Sequence, residues 1–316
     1  MKPREVIVVG ELNVDLILDG LEGKLPEVGK EILAANMTLT LGSSSAIFAS
    51  NLSSLGAKVR FCGMVGKDQF AELVLSSLAE KDVDTSAVTR SDVHQTGVTV
   101  ACSYGNDRAM VTHPGAMDHM TLEMIPDELL REGNHLHMSS VFLQKGLRTD
   151  LYELFSRAKD SGMTTSCDPQ WDPEEKWDLD LERFLPLVDV FLPNQEELLR
   201  LTGEGTLDAA ISRLTGYANT VVVKMGVRGA RMWSGGRHYH QPIYPNPEIV
   251  DTIGAGDSFN AGFISGFIRN APAEECLRKG TLAGAINTTM AGGTAAFSGR
   301  EAILKTARRV FNADIS

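Results

Sequence analysis

Short apolar runs alternate with longer amphipathic stretches along most of the chain. The apolar runs predict strands buried on both faces, at residues 6–9, 59–62, 188–192 and 220–223. The amphipathic stretches predict helices at residues 44–55, 69–79, 151–160, 195–201 and 207–214. Phe259, Phe263 and Phe267 follow at four-residue spacing, which places three rings on one helix face. This alternation predicts an α/β fold with a doubly wound, mainly parallel sheet and helices on both faces.

Two segments depart from this alternation. Residues 96–112 alternate apolar and polar positions around a turn at Gly105-Asn106-Asp107, which predicts a hairpin with one apolar face. Residues 14–41 hold strand-like pieces around a loop that contains Gly and Pro. We expect 14–41 and 96–112 to pair into a small antiparallel sheet, beside a main domain formed by 1–13, 42–95 and 113–316.

Composition narrows the class of protein. The 316 residues carry 41 acidic and 30 basic side chains, a net charge of −11, which argues against a nucleic-acid partner. The four cysteines have no CxxC spacing, and because the first fifteen residues carry charges, we expect no signal peptide there. The two long uncharged stretches are interrupted by polar residues, so neither predicts a membrane span. We therefore expect a soluble cytoplasmic protein with no membrane partner.

The run 250–259 carries the most specific chemistry. Gly254, Ala255 and Gly256 leave backbone N–H groups open at a helix start, which predicts a site for a phosphate or another anion. Asp257 in this position fits a general base that takes a proton from a hydroxyl attacking phosphorus. An ordinary helix cap explains the same residue, and the short run alone favours that simpler interpretation.

The wider sequence resembles a known family. Residues 251–259 resemble the C-terminal signature of the ribokinase-like (PfkB) family of carbohydrate kinases. Four further runs are similar to family elements in the family's order: 8–15, 42–68, 193–197 and 224–229. The resemblance covers nearly the whole chain and implies a doubly wound α/β domain with a β-sheet lid, a sugar substrate, ATP and Mg²⁺.

The resemblance also implies roles for single residues. Asp257 would be the catalytic base, and the amides of residues 254–257 would stabilise charge on the transferred phosphate. Asn194 and Glu197 would organise Mg²⁺ through water and phosphate, although an N-cap Asn with a first-turn Glu explains the pair as well. The residues assigned to the nucleotide are Asn194, Lys224, Gly226, Gly229 and Asn287. Lys224 could equally be a solvated strand-end charge, and Gly229 could serve the turn alone.

Asn13 and Asp15 are the main candidates for binding the acceptor. Two residues apart at the end of a strand, they share a face, where an amide and a carboxylate can bind neighbouring hydroxyls. The family residue that matches Asp15 is a substrate ligand, whereas a turn-forming pair is the alternative. Gly42 and Ser43 are also assigned to the substrate. Arg108 contacts substrate or phosphate in one interpretation and is a solvated hairpin charge in the other.

Departures from the family pattern bear on the acceptor. Ile47 stands where ribokinases have Asn and cannot bind a hydroxyl, so the resemblance does not select ribose. The run 168–173 is similar to fructokinase and ketodeoxygluconate kinase relatives but lacks their usual Asn and Arg. The segments 13–18, 42–47 and 96–104 contain no Lys or Arg. Because a buried unpaired charge is expensive, we expect an unphosphorylated monosaccharide or a related polyol.

Asp251 and the carbonyl of Ile253 match the potassium-activated members of the family, and the loop 291–293 could add carbonyls. We therefore expect modest activation by K⁺. Exposed lid edges favour a homodimer through the lid.

Two other functions stay open at this point. His135 and His137 could bind a metal as in HxH-type hydrolases, although buried strand packing explains them more simply. A non-catalytic sugar or nucleotide sensor on a kinase fold is the other alternative, against which Asp257 and its glycines argue.

Overall fold

A computed structural model describes residues 4–21, 23, 25–104 and 107–315. Gly105 and Asn106 of the predicted turn lie outside the described residues. The strands are β1 (Glu5–Val9), β2 (Asn13–Asp19), β3 (Asn36–Leu41), β4 (Lys58–Val65), β5 (Asp84–Arg90), β6 (Gly97–Tyr104), β7 (Asp107–His113), β8 (His135–Ser139), β9 (Thr164–Asp168), β10 (Val190–Phe191), β11 (Thr220–Lys224), β12 (Ala230–Ser234) and β13 (Arg237–Gln241). The α-helices are α1 (Ser44–Ser54), α2 (Gln69–Ala79), α3 (Asp127–Glu132), α4 (Lys145–Arg148), α5 (Leu151–Asp160), α6 (Leu181–Phe184), α7 (Gln195–Thr202), α8 (Leu207–Leu214), α9 (Ala255–Phe267), α10 (Ala273–Asn287) and α11 (Arg300–Phe311).

Most of the strands form one large sheet. Within the described residues its order is β13-β12-β11-β10-β9-β8-β1-β4-β5. Every pair from β11 through β5 is parallel, and β12 and β13 add an antiparallel hairpin at one edge. The predicted mainly parallel sheet is confirmed, and the five predicted helices correspond to α1, α2, α5, α7 and α8.

Helices cover both faces of this sheet. Successive residues of β1 point to opposite faces, so Val6 and Val8 pack with α1, α9 and α10, while Ile7 and Val9 pack with α5 and α7. Phe263 of the predicted aromatic stripe is buried between α9 and its neighbours. Gly262 allows α10 to approach closely, since a Cβ at that position would lie 2.5 Å from the Lys279 carbonyl oxygen.

The smaller sheet has the order β3-β2-β6-β7 and lies within the two segments that interrupt the alternation, apart from Asn13 and His113 at their margins. One part of the prediction was wrong: the sheet is mixed, because β2 pairs with β6 in parallel. β2 and β6 both lead away from the main domain, whereas β3 and β7 return antiparallel to them. Because β2 and β6 start from the same side and lie next to each other, their pairing is parallel.

Parallel strands bring their carboxyl ends to one edge of the large sheet, where open α/β folds bind ligands. The polar residues that end or follow these strands are Glu11, Asn13, Ser140, Asp168, Asn194 and Lys224. A cavity of about 360 Å³ lies between this edge and the smaller sheet. Of the described helices, none is long and apolar enough to cross a membrane.

Candidate active site

The start of α9 forms one wall of the cavity. Gly254 precedes the helix with φ +74°, and a Cβ there would lie 2.6 Å from the Cα of Gly293, so the position requires glycine. Ala255 begins the helix, and the N–H groups of Gly256 and Asp257 have no acceptor within it. The wall thus presents the positive end of a helix to the cavity, which suits an anion. The catalytic role assigned to these amides stays a prediction.

Asp257 is buried on this wall. Its Oδ1 accepts a hydrogen bond from Gln170 Nε2 at 3.0 Å. Burial raises the pKa of Asp257 to about 8, and the carboxylates of Asp168 and Glu11 add to the rise while Lys224 opposes it. A carboxyl group that titrates near neutral pH suits a general base.

Asp168 is a site residue that the sequence analysis did not identify. It is fully buried at the end of β9, and its Oδ2 accepts from Lys224 Nζ at 2.5 Å, Asn260 Nδ2 at 2.5 Å and Gln170 Nε2 at 3.1 Å. Burial alone would lower the pKa of Lys224, but the carboxylates of Asp168 and Glu197 outweigh it and raise that pKa. Lys224 is therefore a half-buried, paired cation and not a solvated one. The available signal was the run 168–173, whose similarity to other kinases was noted without a role for Asp168.

Asn194 and Glu197 form a capping box at the start of α7. The Glu197 N–H donates to Asn194 Oδ1 at 2.9 Å, and the Asn194 N–H donates to Glu197 Oε2 at 2.8 Å. The N-cap interpretation is thus correct, and it does not exclude a second role. Burial raises the pKa of Glu197 to about 7, with Asp168 adding to the rise.

This pair fits a magnesium ion bound indirectly. Both residues offer oxygen atoms, which Mg²⁺ prefers, and a cation would relieve the repulsion between Glu197 and Asp168. Over the described part of the chain, no three His, Cys, Asp or Glu side chains are grouped so that they could enclose a metal ion. That Asn194 and Glu197 organise Mg²⁺ through water and phosphate stays a prediction.

Asn13 and Asp15 lie together at the opposite end of the cavity, as their spacing predicted. Asn13 Nδ2 donates to Asp15 Oδ1 at 3.1 Å and to Thr99 Oγ1 at 3.0 Å. Burial raises the pKa of Asp15 to about 6, opposed by the bond from Asn13 and the charge of Arg108. Arg108 also lines the cavity. This end offers a carboxylate, a guanidinium and hydroxyl groups to an acceptor.

Gly42 and Ser43 shape this end of the cavity. A Cβ at Gly42 would lie 2.3 Å from Asp15 Oδ1, so glycine gives the carboxylate its space. Ser43 has φ +68°, a conformation that favours glycine. Its Oγ caps α1 by accepting from the Ala46 N–H at 2.9 Å and donates to the Glu11 carbonyl at 2.6 Å.

Glu11 and Ile47 also line the cavity. Glu11, which the sequence analysis did not assign to the site, is buried and accepts from the Ser45 N–H at 3.1 Å and the Ser45 Oγ at 2.5 Å. Burial raises its pKa, while the bonds from Ser45 lower it. Ile47 packs against Gly293, where a Cβ would lie 2.4 Å from its Cδ1, and adds an apolar surface to the cavity.

Side-chain hydrogen bonds of Asp251 and Asn287 hold the segment before α9. Asp251 accepts from the Ile253 N–H at 2.9 Å and from the Gly292 N–H at 2.8 Å. The Ile253 carbonyl accepts from Asn287 Nδ2 at 2.6 Å, and Asn287 Oδ1 accepts from Ser258 Oγ at 2.9 Å. Asn287 is thus fully buried beneath this segment, and its assignment to the nucleotide stays a prediction, as does the K⁺ site.

Gly226 and Gly229 begin and follow the short 3₁₀ turn Gly226–Arg228 after β11. Both have positive φ, and a Cβ at Gly229 would lie 2.1 Å from the Gln241 carbonyl oxygen. The turn therefore requires glycine at position 229, where a side chain would collide with the backbone. At Gly226 the space around a Cβ position is open.

His135 and His137 are buried in the sheet. Ser166 Oγ lies 2.7 Å from His135 Nε2 and from His137 Nδ1, and the other ring nitrogens contact Thr164 and Ser139 hydroxyls. Burial lowers the pKa of His135 to about 3 and that of His137 well below its usual range, so both rings are neutral. All four ring nitrogens have hydrogen-bond partners, which favours the packing interpretation over the metal site.

Comparison with known proteins gives a consistent picture. The model of the pfkB family of carbohydrate kinases matches residues 3–298. An uncharacterized sugar kinase of Archaeoglobus fulgidus is 29% identical over 74% of this chain and 92% of its own length. The ribokinase of Haemophilus influenzae is 25% identical over 96% of this chain and 98% of its own. The solved Arabidopsis thaliana ribokinase complexed with ribose and ATP shares the fold, with a TM-score of 0.82 and 24% identity over 96% of this chain and 98% of that one. None of these similarities supports the hydrolase alternative.

Proposed function

The chain belongs to the pfkB family of carbohydrate kinases, and from this premise we propose that it phosphorylates a hydroxyl of a small, unphosphorylated monosaccharide or related polyol. The charge of the cavity carries this proposal. The carboxyl groups on its described walls are Glu11, Asp15, Glu197 and Asp257. The cations on the same walls are Arg108 and Lys224, and Lys224 is paired with Asp168. A phosphorylated acceptor would add negative charge to this surface, whereas hydroxyl groups suit its many acceptors.

In the proposed reaction, Asp257 takes the proton of the acceptor hydroxyl. The hydroxyl oxygen forms a bond to the γ-phosphorus of ATP, the bond from that phosphorus to the bridging oxygen breaks, and ADP leaves. The N–H groups of residues 254–257 donate to the phosphoryl oxygens as negative charge develops on them. Lys224 adds positive charge at the same wall, since its Nζ lies 3.7 Å from a Cβ position on Gly256.

Kinases of this family use ATP with Mg²⁺, which neutralises phosphate charge when bound. We assign Asn194 and Glu197 to this ion through water. On the nucleotide side we place Lys224, Gly226, Gly229 and Asn287. At the acceptor we place Asn13, Asp15, Gly42, Ser43 and Arg108. Asp251 and the Ile253 carbonyl belong to the segment that K⁺ would influence.

We further propose that the segments 14–41 and 96–112 act as a lid through which two copies of the chain pair. Leu16, Leu39, Val100 and Val111 form one row across the four strands. Thr99 and Ala101, whose side chains alternate with that of Val100, line the cavity, so the row faces away from it. Leu39 and Val111 are exposed, and a second copy would cover them. Sedimentation of the wild type and of Val111→Glu tests this proposal. We expect a dimeric wild type and a monomeric Val111→Glu, and a monomeric wild type would contradict the proposal.

ATP as co-substrate and free thiols at Cys62, Cys102, Cys167 and Cys276 support a cytoplasmic location. A non-catalytic sensor would have no use for a buried carboxylate at an anion site, so Asp257 favours an enzyme.

An ATP-consumption screen tests the proposed function. Free sugars, sugar acids, polyols and nucleosides are compared with sugar monophosphates, and Asp257→Asn is purified in parallel to expose contaminating kinases. We expect kcat/KM to be highest for an uncharged acceptor. A preference of about tenfold or more for a phosphorylated acceptor would overturn the substrate class and assign Arg108 to the phosphate.

A further inference from the structure

The side-chain amide of Gln170 bridges two carboxyl groups of the site. Its Nε2 donates to Asp257 Oδ1 at 3.0 Å and to Asp168 Oδ2 at 3.1 Å. An amide nitrogen has two N–H donors, so both are directed at carboxyl oxygens. Gln170 lies in the run 168–173 that is similar to other kinases, but that similarity assigned it no role.

The backbone of Gln170 is held in an unusual conformation. Its φ of +59° lies in the left-handed region, which is costly for a residue with a side chain and persists where the surroundings enforce it. Asp168 enforces it here, because Asp168 Oδ1 also accepts from the Gln170 N–H at 3.3 Å. Asp168 in turn is fixed by Lys224 and Asn260. Gln170 is therefore tied at its backbone and its side chain to a rigid anchor.

Packing does not explain this arrangement. Gln170 is half-buried and lines the cavity, so its side chain does not fill the apolar core. A shorter or apolar residue could complete the loop without a bond to Asp257. The direction of the amide toward the carboxyl group on α9 is the feature that needs a reason.

We propose that Gln170 is a positioning residue that fixes the orientation of the Asp257 carboxyl group while the acceptor hydroxyl approaches. The proposal rests on the proposed function, in which Asp257 is the base. A bond donated to the charged form also favours ionised Asp257 and so opposes the effect of burial.

The other groups that face Asp257 come from different elements. Asp168 ends β9, Lys224 ends β11, and Glu11 follows β1, while Ser44 on α1 lowers the pKa of the carboxyl group. Glu197 on α7 acts on Lys224. Substituting Gln170 leaves all of these charges in place, so a change in the titration of Asp257 comes from the replaced side chain and not from a lost charge.

Three variants test the proposal. Gln170→Leu keeps the approximate size of the side chain and removes the amide. Gln170→Asn keeps an amide that is one methylene shorter and tolerates the left-handed conformation. Glu175→Leu is the matched control, because Glu175 has φ +52° in the same loop and an exposed side chain.

Two readouts are measured. One is the acidic limb of the pH profile of kcat/KM for the acceptor, which reports the base in the free enzyme. The other is the titration of the Asp257 carboxyl carbon by ¹³C NMR without ligands, assigned by comparison with Asp257→Asn. For Gln170→Leu we expect both to move to higher pH by about half a unit or more, and plateau kcat/KM to fall about tenfold. Glu175→Leu should match the wild type.

If Gln170→Leu does not fold, Gln170→Asn must move both readouts in the same direction. Unchanged titration of Asp257 in a folded variant overturns the proposal. If the wild type turns over no acceptor, the proposed function fails, but the ligand-free titration still decides the role of Gln170.

Discussion

Lys224 and Asp168 are 56 residues apart in sequence and form an ion pair inside the site, with Nζ 2.5 Å from Oδ2. Asp168 is fully buried, so each charge depends on the other for its stability. The pair holds Lys224 beside the first turn of α9, where a transferred phosphate would lie. In the proposed reaction, Asp168 thus holds in place the cation that we assign to the phosphate.

The first prediction concerns the base. Asp257→Asn should lower kcat on the order of 100-fold or more and leave nucleotide affinity nearly unchanged, because the amide cannot accept the proton. Turnover is measured at saturating ATP and acceptor, and nucleotide affinity by calorimetry. Turnover within a few-fold of the wild type would show that Asp257 is not the base.

The second prediction concerns the acceptor. Asp15→Ala should lower kcat/KM for the sugar on the order of 100-fold, because the sugar hydroxyls lose a charged group that accepts their hydrogen bonds. This corresponds to a loss of about 2–3 kcal/mol of transition-state stabilisation. Asp19→Ala is the matched control, because Asp19 lies on the same face of β2 but does not line the cavity that holds Asp257. Equal effects of the two substitutions would contradict a direct contact with Asp15.

The third prediction concerns stability and pH. Asp257 has a pKa of about 8 in the folded protein, far above the value near 4 of an unfolded chain. Between these values the folded state binds the additional proton, so stability falls as the pH rises from about 4 through about 8, and the contribution of Asp257 is constant well above that pH. Glu197, with a pKa of about 7, acts in the same direction.

The ligand-free protein should therefore have a lower Tm at about pH 8.5 than at about pH 7.5. His135 and His137 act in the opposite direction, but only near and below the ordinary histidine pKa of about 6.5, outside this interval. Asp257→Asn should show a smaller difference in Tm between the two pH values, and its Tm at about pH 8.5 should be higher than that of the wild type. A Tm that rises over this interval in the wild type would contradict the raised pKa.

Features set by local spacing could be predicted from the sequence. Asn13 and Asp15 share a face because a strand alternates its side chains, and Asn194 and Glu197 form a box because three residues separate them in a helix. Gly254 was selected because a helix start with open amides needs it. In each case the relevant geometry lies within a few residues of the chain.

Features set by distant elements could not be predicted in this way. Asp168, Gln170 and Glu11 enter the site because β9 and β1 end beside α9, and only the sheet order fixes that. The parallel pairing of β2 with β6 depends on the directions in which two separate segments leave the main domain. The bond from Ser43 Oγ to the Glu11 carbonyl likewise joins two segments that are distant in sequence.

The fourth prediction concerns K⁺. Asp251 joins the segment before α9 to the loop 291–293 through its bonds to Ile253 and Gly292, so an ion bound there would change the shape of the anion site. The turnover rate should be higher in potassium chloride than in tetramethylammonium chloride at matched ionic strength. Asp251→Asn should lose this difference. Equal wild-type rates in the two salts would contradict the prediction.

The last prediction separates the position of the Asp15 carboxylate from its presence. Gly42→Ala adds a Cβ that would lie 2.3 Å from Asp15 Oδ1 and 2.9 Å from Asn13 Nδ2, so the pair must move although no polar group is lost. Gly205→Ala is the matched control, because its Cβ would have nothing within 4 Å. Gly42→Ala should lower kcat/KM for the acceptor at least about tenfold with nucleotide affinity unchanged, and Gly205→Ala should match the wild type. If both variants phosphorylate the acceptor normally, the geometry of Asn13 and Asp15 does not determine acceptor binding, and Asp15 would act through its charge alone.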